Sequence, residues 1–142
     1  MQGVIIRCRS CGSKNRVISD RIEAGPKCGK CGSSLDIPRK AIEISDAQFQ
    51  REVLEETIPT AVDFWAPWCG PCRMMGPVLE EVAARNPGRI KVVKVNSDQN
   101  QSLSARFGIQ GIPTLILFKG GREVDRLVGA APRERIVQFL GL

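Results

Sequence analysis

The sequence predicts an α/β domain, a mixed central sheet with helices on both faces, preceded by a small module held together by four cysteines. Three observations predict it. From about residue 41 onward, strand and helix patterns alternate in the order β-α-β-α-β-α-β-β-α, which calls for a layered α/β arrangement. Composition changes near residue 40. All six cysteines fall in C-x-x-C pairs: Cys8/Cys11, Cys28/Cys31 and Cys69/Cys72. The expected division is residues 1–40 for the module and its linker and 41–142 for the α/β domain. A chain of 142 residues has room for one such domain plus an appendage too short to bury a core unaided.

Before residue 40, Gly, Ser, Lys, Arg and Cys dominate. The short apolar groups Val4-Ile5-Ile6 and Val17-Ile18 suit small strands or knuckle turns, not a core. Asp36-Ile37-Pro38-Arg39-Lys40 reads as a linker broken by Pro38. Ile42-Glu43-Ile44 is a short strand, and Ser45 or Asp46 can cap a helix carrying Ala47, Phe49 and Val53. Residues 60–66 form a nearly continuous apolar run, as expected of a strand buried on both faces. A helix follows, with Met74, Met75, Val78, Leu79, Val82 and Ala83 at helical spacing and Pro77 expected to kink it.

Residues 90–96 supply the next strand and residues 101–107 a short helix. Residues 113–118 and 123–128 flank Lys119-Gly120-Gly121-Arg122, a hairpin signal. A last helix is expected from about Pro132 to Leu140, with Pro132 suited to its first turn.

The hydrophobic fraction of 42% and charged fraction of 25% are those of an ordinary globular chain. No apolar run is long enough to span a bilayer, and the N-terminus lacks the apolar stretch of a signal peptide. The expected location is the cytoplasm, with no membrane partner. The net charge of +6 resides in residues 1–40, which hold nine Lys or Arg against three Asp or Glu. Such a surface is either simply solvated or an anion or nucleic-acid contact. Residues 1–40 contain no aromatic side chain, so they offer no stacking platform for bases, and nucleic acid is not the expected partner. A monomer is expected.

Paired C-x-x-C spacings point to metal or redox chemistry in a reducing compartment, and to a disulfide framework in a secreted chain. There is no histidine, so any zinc site must be built from thiolates and any general base must be something other than imidazole. Cys8/Cys11 and Cys28/Cys31 are separated by sixteen residues, a spacing that fits one zinc ion with four Cys ligands. Gly12 and Gly32 permit the tight turn each knuckle needs. Two disulfides, or redox-active dithiols, are the competing readings.

Trp68-Cys69-Gly70-Pro71-Cys72 lies where a buried strand gives way to a helix. Cys69 at the helix edge meets free N–H groups and the positive end of the dipole, which favour its thiolate and make it the expected nucleophile. Cys72, one turn deeper, is the expected resolving thiol. Pro71 in the first turn costs little, because that N–H has no helical partner. The alternative is that Cys69 and Cys72 are half of a metal site.

Asp63-Phe64-Trp65-Ala66-Pro67-Trp68-Cys69-Gly70-Pro71-Cys72, Lys94-Val95-Asn96, Gly108-Ile109-Gln110-Gly111-Ile112-Pro113-Thr114-Leu115 and Val128-Gly129 together resemble the thioredoxin family. The resemblance covers about residues 41–142 and implies the thioredoxin fold with no bound organic cofactor. It implies that Asp63 is the buried acid beneath the disulfide, with a raised pKa and able to accept a proton from Cys72. Lys94 would lie near that acid and tune it. Pro113 would be a cis-proline opposite the disulfide, with Ile112 offering backbone groups to an extended substrate. Trp68, Gly70, Pro71, Gly111, Ile112, Val128 and Gly129 would form the substrate rim, and Trp65 would pack rather than make contact. Arg73 stands where many members carry lysine, and the Gly-Pro pair between the cysteines resembles reductants more than oxidants or isomerases.

A domain of this kind preceded by two further C-x-x-C pairs resembles the zinc-binding, thioredoxin 2-like bacterial subtype. That resemblance implies a reductase of protein disulfides, recharged by a flavin-containing, NADPH-dependent thioredoxin reductase. It also raises a response to oxidative stress, since oxidised thiolates would release zinc. The competing classes are a binding module, in which the basic ribbon docks a partner and the α/β domain is scaffold, and an oxidant or isomerase. Peroxide titration with zinc and activity read together tests the stress response; zinc retained while activity changes would refute it.

Overall fold

In this computed structural model, which describes residues 3–142, the apolar groups at the start of the chain pair with one another. β1 (Gly3–Arg7) and β2 (Lys14–Ile18) form an antiparallel ribbon with Val4 opposite Val17. The two knuckles repeat one hydrogen-bond pattern. Gly12 N donates to Cys8 O at 2.8 Å and Cys8 N to Ser13 O at 2.8 Å; Gly32 N donates to Cys28 O at 2.9 Å and Cys28 N to Ser33 O at 2.7 Å. Gly12 and Gly32 close these turns at φ of 80° and 78°, a left-handed conformation that favours glycine.

The expectation that this module has no core is corrected. Ile6, Val17, Ile22, Leu35 and Ile37 bury together with Cys8 and Cys28, and Ile58 from the α/β domain completes the cluster. Short apolar groups suffice because a neighbouring domain supplies the missing wall. The linker is likewise packed: Ile37 is buried, Asp36 lies 3.4 Å from Arg9, and Arg39 pairs with Glu23 at 2.8 Å.

The main sheet contains β3 (Ile42–Ile44), β4 (Thr60–Trp65), β5 (Lys91–Asn96), β6 (Thr114–Lys119) and β7 (Arg122–Val128), in the spatial order β3-β5-β4-β6-β7. β3, β5 and β4 are parallel, while β6 runs antiparallel to both β4 and β7. β4 lies at the centre, which explains its continuous apolar sequence. α1 (Asp46–Phe49) continues through a π turn to Leu54, and Ser45 at its N-cap has its N–H bonded to Gln48 Oε1 at 3.0 Å. α2 (Gly70–Arg85), α3 (Gln101–Arg106) and α4 (Arg133–Phe139) complete the fold. Pro77 lies inside α2, and Pro132 is the N-cap of α4, one residue earlier than expected.

Strand alternation sorts the core into two layers. Ala61, Val92 and Leu115 face α2 and α4, while Val62, Val93 and Ile116 face α1 and α3. In the β6–β7 hairpin both central residues, Gly120 and Gly121, have positive φ, the conformation that matches strand twist. A Cβ on Gly121 would also come within 2.7 Å of Leu54 O. Among the described residues no helix is long and apolar enough to cross a membrane.

The module docks at the amino ends of β4 and β5. There Thr57 Oγ1 donates to Ile5 O at 2.5 Å, and an ion network forms around Lys91, which is fully buried. All three N–H donors of Lys91 are used, on Glu52 O (2.9 Å), Glu52 Oε1 (2.8 Å) and Glu56 Oε1 (2.8 Å). Arg9, between the first two knuckle cysteines, donates twice to Glu52, at 3.0 and 3.2 Å. Burial pushes the Glu52 carboxyl up, but the bonds from Arg9 and Lys91 outweigh it and hold the group at about 2.

Glu52→Gln leaves a buried ammonium with less compensation and is expected to cost about 3 kcal/mol in urea unfolding of the full chain. A carboxyl depressed on folding stabilises at pH above about 4.5, and that contribution disappears as pH falls towards 2. The Gln variant should therefore lose less stability than the parent across that interval.

Candidate active site and metal centre

β4 ends at Trp65, and the chain turns through residues 66–68 into α2. Cys69 is the N-cap: its backbone is extended (φ −86°, ψ 110°), and its Sγ accepts from the N–H of Cys72 at 3.2 Å. Pro71 sits in the first turn, as expected. Cys72 follows one turn on, joined to Cys69 by a disulfide. Both sulfurs are buried against Ala66, Trp65 and Ile112, and Cys69 Sγ lies 3.9 Å from Ile112 O. The Ile112–Pro113 peptide bond is cis, and Gly129 N donates to Pro113 O at 2.8 Å, tying the end of β7 to the proline.

Asp63 is completely buried in β4, and neither carboxyl oxygen has a hydrogen-bond partner among the described residues. Burial raises its pKa to about 7, against the opposing pull of Lys94 and with a smaller push from Glu43. Lys94 is directly opposite Asp63 in the β4–β5 register, half-buried, with Nζ 4.1 Å from the centroid of the Trp65 ring.

Around the disulfide, Gly70, Pro71 and Gly111 are exposed, Ile112 and Gly129 half-buried, and Trp68 and Val128 stand 70% and 67% exposed. Trp68 Nε1 donates to Asp98 Oδ2 at 2.7 Å, a contact that the sequence reading missed. Met74, expected on the buried face of α2, is corrected: it is 78% exposed, because Met75 takes the core position. Met74 instead lines an apolar groove of about 490 Å³ with Pro71, Val78, Ala130 and Ala131.

The other four cysteines converge. All four Sγ atoms lie within 4.8 Å of one another, with Cys8–Cys31 and Cys11–Cys28 at 3.6 Å. A tetrahedron with metal–sulfur bonds of about 2.3 Å has edges of about 3.8 Å, so the donor set fits zinc. Backbone N–H groups of Cys31 and Lys30 hold the Cys28 thiol down to about 6, favouring the thiolate that a metal requires. Asn15 Nδ2 (3.5 Å) and Lys30 N (3.4 Å) donate to Cys28 Sγ, outer bonds of the kind that orient a ligand.

The thioredoxin family model matches residues 40–141. The chain belongs to the thioredoxin family. A zinc-ribbon model described as "Thioredoxin 2, N-terminal" matches residues 7–33. Thioredoxin 1 of Nostoc sp. is 52% identical over 100 residues, covering 70% of this chain and 94% of that protein. Thioredoxin 1 of Synechococcus elongatus gives the same identity and coverage. Thioredoxin C-3 of Corynebacterium nephridii is 39% identical over 137 residues, 96% of this chain and 93% of its own length. The thioredoxin domain is a thiol–disulfide oxidoreductase with Cys69 and Cys72 as its redox pair, and a zinc-ribbon module precedes it.

The sequence signal for the Lys91–Glu52–Glu56 network was present but faint: a lysine inside an apolar run, and two glutamates four residues apart. Nothing in the sequence joined them.

A carboxyl whose pKa rises on folding opposes stability above its ordinary pKa. The opposition is absent below about 3.8, grows as pH rises and is complete above about 7. Asp63→Asn should therefore stabilise the oxidised protein by on the order of 4 kcal/mol more at pH 8 than at pH 3.5. Chemical denaturation at the two pH values measures this.

Proposed function

We propose that the chain reduces disulfides of protein substrates with Cys69 as attacking thiolate and Cys72 as resolving thiol. The observation that supports this assignment most is the capping geometry, in which the Cys72 N–H at the start of α2 donates to the Cys69 sulfur, beside an exposed apolar rim. In the first step the Cys69 thiolate attacks one sulfur of the substrate disulfide, and the other substrate sulfur leaves as a thiolate. Asp63 then takes the Cys72 proton, and the Cys72 thiolate attacks Cys69 Sγ. The Cys69–Cys72 disulfide forms as the second substrate sulfur departs with its electron pair. Two electrons move from the chain to the substrate.

Pro113 and Ile112 receive the extended substrate segment, with Trp68, Gly70, Pro71, Gly111, Val128 and Gly129 as the apolar rim. Lys94 limits the rise in the pKa of Asp63. The oxidised chain is recharged by a flavin-containing, NADPH-dependent thioredoxin reductase, and the protein works in the cytoplasm as a monomer. Zinc, when bound, fixes the two knuckles as one unit, held one ion per chain by Cys8, Cys11, Cys28 and Cys31. The module with its linker ends near residue 40, and the catalytic domain runs from 41 to 142.

Insulin disulfide reduction should proceed with the parent chain and be lost in Cys69→Ser; equal turnover in both would remove Cys69 from its role. Metal analysis of protein purified under reducing conditions should give one zinc per chain, falling to none in Cys8→Ser or Cys28→Ser. Zinc that persists in either variant would count against the four-thiolate site.

A further inference from the structure

We propose that Glu43 is a positioning residue for the redox pair: clamped by Trp65, its charge tightens the hold of Asp63 on the proton it takes from Cys72. This rests on the reading of Asp63 as proton acceptor given above.

The strand order β3-β5-β4 places Glu43, Lys94 and Asp63 as direct cross-strand partners, so the three side chains leave the same face of the sheet. Trp65, two residues along β4 from Asp63, shares that face. Its Nε1 donates to Glu43 Oε2 at 3.1 Å, while Lys94 Nζ sits over the ring at 4.1 Å. The indole thus holds a carboxylate at its edge and an ammonium on its face. One lysine lies between two carboxylates, one exposed and one buried.

An exposed glutamate ordinarily moves through water, which screens it. Here the indole bond fixes the carboxylate, and the half-buried ring fills space that water would occupy, so its field reaches Asp63 less screened. Lys94 and Glu43 are the charges that act on Asp63, in opposite senses. Across β6 its partner is uncharged Leu115, and the Cys69–Cys72 disulfide at the start of α2 does not titrate in the oxidised chain. Glu80 of α2 is directed elsewhere, accepting from Ala41 N at 3.5 Å. Lys94 makes Asp63 a weaker base that is ready at lower pH; Glu43 makes it a stronger one.

The test follows the Asp63 carboxyl by infrared titration of the oxidised full-length chain, alongside the pH profile of insulin reduction. Asp63→Asn identifies the band by its loss. Glu43→Gln, which keeps the indole bond and removes the charge, should lower the Asp63 midpoint by about half a pH unit and move the activity break the same way. Glu43→Asp, which keeps the charge on a shorter arm, should move both by less than half as much. If Glu43→Gln titrates with the parent while Asp63→Asn removes the break, Glu43 has no such role and the reading of Asp63 stands. If the break survives in Asp63→Asn, the reading of Asp63 fails and the role of Glu43 fails with it.

Discussion

The chemistry depends on where one helix begins. β4 is the central, fully covered strand, and its direction fixes where α2 can start. Cys69 occupies the capping position, so its sulfur does what a serine or aspartate oxygen does at other helix starts: it satisfies a backbone N–H that has no helical partner. A thiolate benefits from that contact more than a thiol does, because the acceptor carries the charge. The buried acid, the cis-proline and the rim are all placed relative to this junction.

The strongest sequence signals were those confined to short stretches. The strand-to-helix passage at residues 60–72 combined an apolar run with a C-x-x-C pair, and two glycine-closed knuckles marked the metal module. The cis state of Pro113 was legible only through family resemblance, since no local pattern specifies it. Arg9, Glu52 and Lys91 could not be joined from the sequence: they lie about forty residues apart, Glu52 and Lys91 meet only through the tertiary fold, and Arg9 reaches them from the other module. Ile58 was hidden for the same reason, because its partners belong to the other module. Met74 misled because helical spacing defines a face, whereas the end of that face beside the redox site is left uncovered.

The two thiol centres occupy opposite ends of the sheet. The zinc-type module packs at the amino ends of β4 and β5, through Thr57, Ile58 and Lys91, whereas the disulfide follows the carboxyl end of β4. The module therefore packs away from the exposed surface around Trp68 and Val128. β5 sends one lysine towards each centre: Lys91 into the docking network on the α1 side and Lys94 beside Asp63 on the α2 side.

If the start of α2 stabilises a thiolate, the reduced Cys69 is the acidic, reactive sulfur of the pair and Cys72, one turn deeper, the slower one. Iodoacetamide alkylation of the reduced, zinc-loaded chain across pH, with the modified sites mapped by mass spectrometry, tests it most directly. Labelling at Cys69 should run well ahead of Cys72, with a midpoint clearly below the value of about 8.5 for a free thiol. Equal labelling of the two, or a Cys69 midpoint at the ordinary thiol value, would contradict it.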